Sequence, residues 1–251
     1  MSGHNKWSKI KNQKGATDAK RGQLFTKLTR EIMLAVRQGG AHPETNRRLE
    51  LALQKAKSGS MPWDNIERAI QKGAGTAEGA ALNEMTLEGY GPNGVAILVQ
   101  ALSDNRNRTV QEVRSTLTRN GGNLAGSGSV AWLFESKGYM TIDTKGLDAD
   151  AIALEAIEAG AEDVQTSDGE IEVYTRPEDF DKVRTALSKK KLNITAAEIA
   201  MLPKTSVELD EKSAIQTAKL MEKLEDLDDV QHVYTNTDFS DEVIEKIKTA
   251  A

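Results

Sequence analysis

Residues 139–175 read YMTIDTKGLDADAIALEAIEAGAEDVQTSDGEIEVYT, and this stretch decides the fold. Tyr139–Asp143 reads as a strand and Asp148–Ala159 as a helix, while Asp163–Thr166 and Glu170–Thr175 form a hairpin around Asp168-Gly169. Downstream, Pro177–Ser188 reads as a helix with Phe180, Val183 and Leu187 inward, and Ile194–Met201 closes the pattern as a strand. Strand–helix–strand–strand–helix–strand is the split order of a ferredoxin-like domain, expected here over residues 137–204.

The flanks read as halves of a second unit. Upstream, Met85–Gly89 and Val95–Ser103 surround a Gly-Pro-Asn-Gly turn and suggest a hairpin. Asn107–Asn120 then places Val110, Val113 and Leu117 on one helical face, with Thr109 or Asn107 able to cap it, and a Gly-Ser loop at 126–129 leads into a strand over Ser129–Glu135. Downstream come a strand at Ser206–Leu209, a helix at Glu211–Leu224, a strand at Val230–Thr235 and a short final helix. The two flanks are expected to share one sheet, so that residues 76–136 and 205–251 form a discontinuous α+β domain with 137–204 inserted.

Ahead of the Gly- and Ala-rich linker Gly73–Asn83 the period is helical. From Thr17, Leu24, Leu28, Ile32 and Ala35 recur on one face, widened by Phe25 and Val36, until Gly39-Gly40. Asn46–Lys57 turns Leu49, Leu53 and Ala56 inward, and a third helix starts at Pro62, carries Ile66, Ala69 and Ile70, and is closed by Gly73. The expected fold class is therefore multidomain α and α+β: an N-terminal helical bundle over 1–75, then two α+β domains, one ferredoxin-like and inserted in the other.

The 251 residues contain no cysteine, which removes disulfides, thiolate metal sites and cysteine nucleophiles together. The N-terminus lacks the apolar stretch of a secretory signal, and Val95–Leu102, the most apolar segment, is only strand-sized. A soluble cytoplasmic protein without membrane contact is expected. Its net charge of −5 conceals a segregation. Residues 1–75 hold 15 Lys and Arg against 6 Asp and Glu, and the remainder holds 18 against 32. A +9 domain joined to a −14 body points to a polyanionic partner for the basic part.

Lys6, Lys9, Lys11 and Lys14 lie in a basic arm with Trp7, followed by Lys20, Arg21, Lys27, Arg30 and Arg37 on the first helix. Lys20, Lys27, Arg30 and Arg37 share a stripe away from the apolar face, where cations can meet successive phosphates and release counterions. Trp7 can stack on a base or simply dock the arm on the bundle. A second candidate is Asn105-Arg106-Asn107-Arg108-Thr109, where Arg106, Arg108 and Arg114 can contact phosphate near a helix start, or pair with the acidic surface of the later domains.

The search for catalytic chemistry finds nothing. Gly89-Tyr-Gly-Pro-Asn-Gly94 has three spaced glycines, but a strand follows them where a dinucleotide site requires a helix. His4, His42 and His232 show no ligand spacing, Ser127 is not in a nucleophile elbow, and Glu225-Asp226-Leu227-Asp228-Asp229 reads as a solvated run. No enzyme, cofactor or metal site is expected.

Taken together, several of these segments resemble the YebC family. They are Met1-Ser-Gly-His-Asn-Lys-Trp7, Ala19-Lys-Arg-Gly-Gln-Leu-Phe-Thr-Lys-Leu28, Met61-Pro-Trp-Asp-Asn-Ile-Glu-Arg-Ala-Ile70, Glu88-Gly-Tyr-Gly-Pro-Asn-Gly-Val95, Asp104-Asn-Arg-Asn-Arg-Thr-Val110, Gly121-Gly-Asn-Leu124 and Gly128-Ser-Val130. The resemblance runs nearly end to end and implies the same three domains. It also implies a DNA-binding transcriptional regulator or, as for the family's mitochondrial relatives and some bacterial members, a translation factor at the ribosome. The sequence shows no clear helix-turn-helix and no dimer seam, so a monomer is expected, with DNA or ribosomal or other RNA as partner.

Overall fold

The computed structural model describes residues 18–75, 82–167 and 169–249. The expected basic arm, with Lys6, Trp7, Lys9, Lys11 and Lys14, and most of the expected linker lie outside the described residues. In chain order the elements are α1 (Asp18–Gly39), α2 (Arg47–Ser58), α3 (Trp63–Ala74), β1 (Asn83–Tyr90), β2 (Ala96–Ser103), α4 (Arg106–Arg119) and β3 (Asn123–Leu124). They continue with β4 (Phe134–Asp143), α5 (Ala149–Ala159), β5 (Asp163–Ser167), β6 (Glu170–Thr175), α6 (Phe180–Lys189) and β7 (Asn193–Pro203). The chain then runs through β8 (Val207–Glu208), α7 (Glu211–Glu225), β9 (Val230–Thr235), β10 (Thr237–Asp238) and α8 (Asp241–Thr249).

The first three helices bury Leu28, Ile32, Ala35 and Val36 of α1 against Leu49, Ala52, Leu53 and Ala56 of α2 and Ile66 and Ala69 of α3. Asn46 ties the first two together: its Oδ1 accepts from Leu49 N at 3.1 Å as an N-cap, and its Nδ2 donates to the carbonyls of Ala35 and Gly40 at 2.7 Å each. Two of the sequence expectations shift. Leu24, placed on the inward face, is 41% exposed, with its Cδ2 against the cap of α2 at Gly59. Gly73 does not close α3 but lies inside it, buried, where an added Cβ would sit 2.8 Å from Val36 Cβ and 2.9 Å from the Met33 carbonyl oxygen.

Beyond the bundle, two antiparallel sheets stack face to face. The first has the order β3-β1-β2-β9, so β9, from the far end of the chain, completes a sheet begun more than a hundred residues earlier. Ile97, Val99 and Ala101 of β2 face Val113 and Leu117 of α4 and Ala218, Met221 and Leu224 of α7. Ala96 and Leu98, on the opposite side, meet Phe134, Tyr139, Tyr174, Ala200 and Leu202 of the second sheet. Because both faces are covered, β2 reads as a continuous apolar run and not as an alternation. Each fully buried Val, Leu or Ile contributes about 1.5–3 kcal/mol, so this seam holds the two sheets firmly.

The second sheet has the order β5-β6-β4-β7, with α5 and α6 packed over Met140, Ile142, Ile171 and Val173. That is the ferredoxin-like arrangement. The expected strands at Ser129–Glu135 and Tyr139–Asp143 are instead one strand, β4, preceded by a 3-10 turn over Ala131–Leu133. Gly138, in the middle of that strand, lets Phe180 pack directly on it, since a Cβ there would lie 2.6 Å from Phe180 Cδ2. The expected strand at Ser206–Leu209 shortens to β8, which pairs in parallel with β10 and not with the first sheet.

Candidate nucleic-acid interface

The expected phosphate-facing stripe of α1 has an intramolecular counterpart. Lys20 Nζ lies 3.0 Å from Glu222 Oε1, and Gln23 Nε2 donates to the Asp226 carbonyl at 3.2 Å. Lys27 donates to the Glu225 carbonyl. Arg30 donates to the Asp228 carbonyl at 2.5 Å and pairs with Asp229 Oδ1 at 2.6 Å. The Glu225 and Asp226 carbonyls terminate α7 and that of Asp228 lies in the turn after it, where unpaired oxygens and the helix dipole give a partial negative charge that cations complement. The hydrogen bond to Glu222 holds Lys20 above its ordinary pKa. Arg21 is exposed on the first turns of α1, and Arg37 is half-buried in its last turn.

Asp229 corrects the reading of 225–229 as a wholly solvated run. It is 2% exposed and accepts hydrogen bonds from Thr109 Oγ1 at 2.6 Å, Ser103 Oγ at 2.8 Å and Arg108 Nη2 at 2.9 Å, besides pairing with Arg30. Burial works against its charge, but Thr109, Arg108, Ser103 and Arg30 together hold the carboxyl below the usual Asp value. One carboxylate therefore joins α1, the end of β2, the start of α4 and the turn after α7. The second candidate segment divides accordingly. Arg108 pairs with Asp229 and, at 2.9 Å, with Asp104, the structural alternative foreseen for it. Arg106 and Arg114 are exposed and hold no ion pair among the described residues. The cap of α4 is neither Thr109 nor Asn107 but Asn105, whose side chain accepts from Arg108 N at 3.1 Å.

A groove runs between α1, α3 and the entry to β1, with Phe25, Met33 and Leu82 as apolar lining and Arg30, Arg37, Asn65 and the carboxylate of Asp104 among its polar lining. It brings Arg30 and Arg37 of the expected stripe to one concave surface. The sequence reading missed a second feature. Glu88, only 6% exposed, accepts from the backbone N–H groups of Gly128 at 2.6 Å, Val130 at 2.7 Å and Ala131 at 2.8 Å. Burial opposes its charge, yet these amides more than offset it and lower its pKa. The loop before β4 is thereby fixed around one carboxylate, and Trp132 projects from it. An acidic residue beside Gly-Tyr-Gly was the available signal, but only the stacking of the second sheet shows that this position is covered.

Over residues 5–76 the chain matches the family described as TACO1/YebC protein N-terminal domain, and over residues 82–237 the family described as TACO1/YebC second and third domain. The chain belongs to the TACO1/YebC family. Among its TACO1/YebC relatives, a probable transcriptional regulatory protein of Dehalococcoides mccartyi is 57% identical over 251 residues, covering 100% of both chains. Another probable transcriptional regulatory protein, from Trichlorobacter lovleyi, is 53% identical over 247 residues, covering 98% of this chain and 100% of that one. The crystal structure of a conserved hypothetical protein from Aquifex aeolicus superposes with a TM-score of 0.81 at 48% identity, covering 89% of this chain and 93% of that chain. This TACO1/YebC chain thus shares its helical and α+β architecture with a solved relative. Among its described residues no helix is long and apolar enough to cross a membrane.

Proposed function

We propose that this protein is a non-enzymatic, nucleic-acid-binding regulator of gene expression that acts in the cytoplasm as a DNA-binding transcriptional regulator. The observation that carries the reading is the charge segregation, +9 in residues 1–75 against −14 in the rest. Relatives named probable transcriptional regulatory proteins support the process. In this reading residues 1–75 bind the polyanion, and the discontinuous domain of 76–136 and 205–251 carries the Arg106 and Arg114 edge. Affinity comes from counterion release and falls steeply with salt.

The cations divide into two groups with different tests. Lys20, Lys27 and Arg30 also seat α1 on α7, so reversing them disturbs the fold as well as the surface. Reversal of Lys6, Lys9, Lys11 and Lys14 to glutamate is the cleaner test. Filter binding at 50 mM salt is expected to lose at least a hundredfold in affinity; unchanged binding would overturn the assignment of the arm. A second reading, a ribosome-associated RNA-binding translation factor, is favoured by the absence of a recognisable helix-turn-helix from the element order of the described residues. Sucrose-gradient sedimentation of gentle lysates, with ribonuclease or deoxyribonuclease, separates the two. Co-migration with ribosomes that high salt abolishes selects the second reading, and deoxyribonuclease-sensitive association with chromosomal DNA selects the first.

A further inference from the structure

Trp132 is 65% exposed, the most exposed of the large apolar side chains among the described residues. Its backbone is nonetheless rigidly placed. Val130 and Phe134, on either side, are 0% and 4% exposed in the seam between the sheets, and the Glu88 carboxylate holds the amides of Gly128, Val130 and Ala131. The indole N–H donates to the Ser129 carbonyl at 3.1 Å, which fixes the ring and satisfies its one polar atom. Lys204 Nζ donates to the Trp132 carbonyl at 3.0 Å, and no carboxylate pairs with it among the described residues. Its ammonium keeps two further donors at the Trp132 backbone. At Gly128 no atom lies within 4 Å of where a Cβ would stand, so the backbone next to the indole is open to solvent.

From this arrangement we propose that Trp132 is a stacking platform for an unpaired nucleobase, with Lys204 receiving the adjoining phosphate. A protein hot spot is a packed aromatic surrounded by contacts that exclude water. Here the residues leading up to the ring are the small Gly126, Ser127, Gly128 and Ser129, the Glu88 carboxylate beneath them is only 6% exposed, and the exposed cation at the Trp132 backbone is a lysine. A bare ring face next to a cation is how single strands are bound without sequence preference. A base inside a duplex has no free face to offer, so the site selects unpaired segments. The proposal deepens the nucleic-acid reading and rests on it.

The test is fluorescence anisotropy of the full-length protein with three labelled 15-nucleotide probes at low salt: a single strand, the same strand with abasic positions, and a blunt duplex. W132A is expected to weaken single-strand binding by roughly 5- to 100-fold. W132F is expected to retain most of the affinity, and neither change should alter binding of the abasic strand or the duplex. K204A is expected to lower the salt slope by about 1. W132F preserves ring and fold if W132A unfolds, and circular dichroism identifies that case; a loss of single-strand binding by folded W132F of about a hundredfold then overturns the platform, since a phenyl ring still stacks. Single-strand affinity unchanged in folded W132A, or an equal loss on the abasic strand, overturns the platform while leaving the nucleic-acid reading standing. Wild-type protein that binds none of the probes overturns the nucleic-acid reading itself, and the platform with it.

Discussion

At the scale of single residues, two carboxylates organise more of this molecule than their number suggests. Asp229 binds two arginines and two hydroxyls, and Glu88 binds three backbone amides. Asp229→Asn keeps the shape but removes the charge, leaving Arg30 and Arg108 without their shared partner. A loss of roughly 3 kcal/mol is expected in urea unfolding. Glu88→Gln turns an amide group toward backbone donors, and roughly 2 kcal/mol is expected to be lost, with faster hydrogen exchange confined to residues 128–131. Both native carboxyls have folded pKa values below the unfolded ones. Their stabilisation is therefore complete above the ordinary carboxylate range near about 4 and disappears as pH falls through the folded values. The stability gap between wild type and either variant should be constant from neutral pH to about 5 and should shrink below it. A gap that grew on acidification would contradict these roles.

At the scale of elements, the contact of α1 with α3 depends on a position that carries no side chain. Gly73→Ala improves intrinsic helix propensity by about 1 kcal/mol, which would stabilise an exposed helix. At this site the new methyl meets Val36 Cβ and the Met33 carbonyl, and neither can swing aside. Overpacking of this kind costs about 1–3 kcal/mol, so a net decrease in thermal stability is expected. An increase in Tm would show that the two helices have room to separate. Leu24 makes the opposite point: it has the right spacing for burial, yet it is left exposed among the described residues.

At the scale of the whole molecule, the joints differ in chemistry. The two sheets share an apolar core, whereas the bundle's core cluster consists only of residues from its own segment among those described. The bundle meets the rest through charges: Arg30 with Asp229, Lys20 with Glu222, Arg48 with Glu84, and Arg47 with Asp181. Exposed pairs of this type contribute about 0–1 kcal/mol and are screened by salt, while the nearly buried Asp229 is the firmer pin. Double-mutant cycles should therefore give a coupling below about 1 kcal/mol for Lys20 with Glu222 and a clearly larger one, roughly 1.5–3 kcal/mol, for Arg30 with Asp229. Small-angle scattering of Asp229→Asn should show a radius of gyration that rises between 0.05 and about 0.5 M salt as screening shortens to a few ångströms, with little change in wild type. In the proposed reading the same electrostatics would couple docking to binding, because the cations Lys20, Lys27 and Arg30 that seat α1 on the end of α7 are also those assigned to the polyanion.

The local patterns of the sequence determined the helices of the bundle, the hairpin at Gly-Pro-Asn-Gly and the ferredoxin-like order, since apolar spacing and turn residues act within a few positions along the chain. The charge segregation was equally plain, as it needs only counting. Only the tertiary structure decided what those charges face. The run at 225–229 looked solvated because burial of Asp229 depends on arginines from α1 and α4, 199 and 121 positions away in the chain. The union of two expected strands into β4 follows from its pairing with β7 along its whole length, a strand some sixty positions away, and the exposure of Leu24 and Trp132 shows only once the other elements are in place. Periodicity specifies which side of an element is apolar, but what covers each side, and which ion finds which partner, follows from contacts between segments remote in sequence.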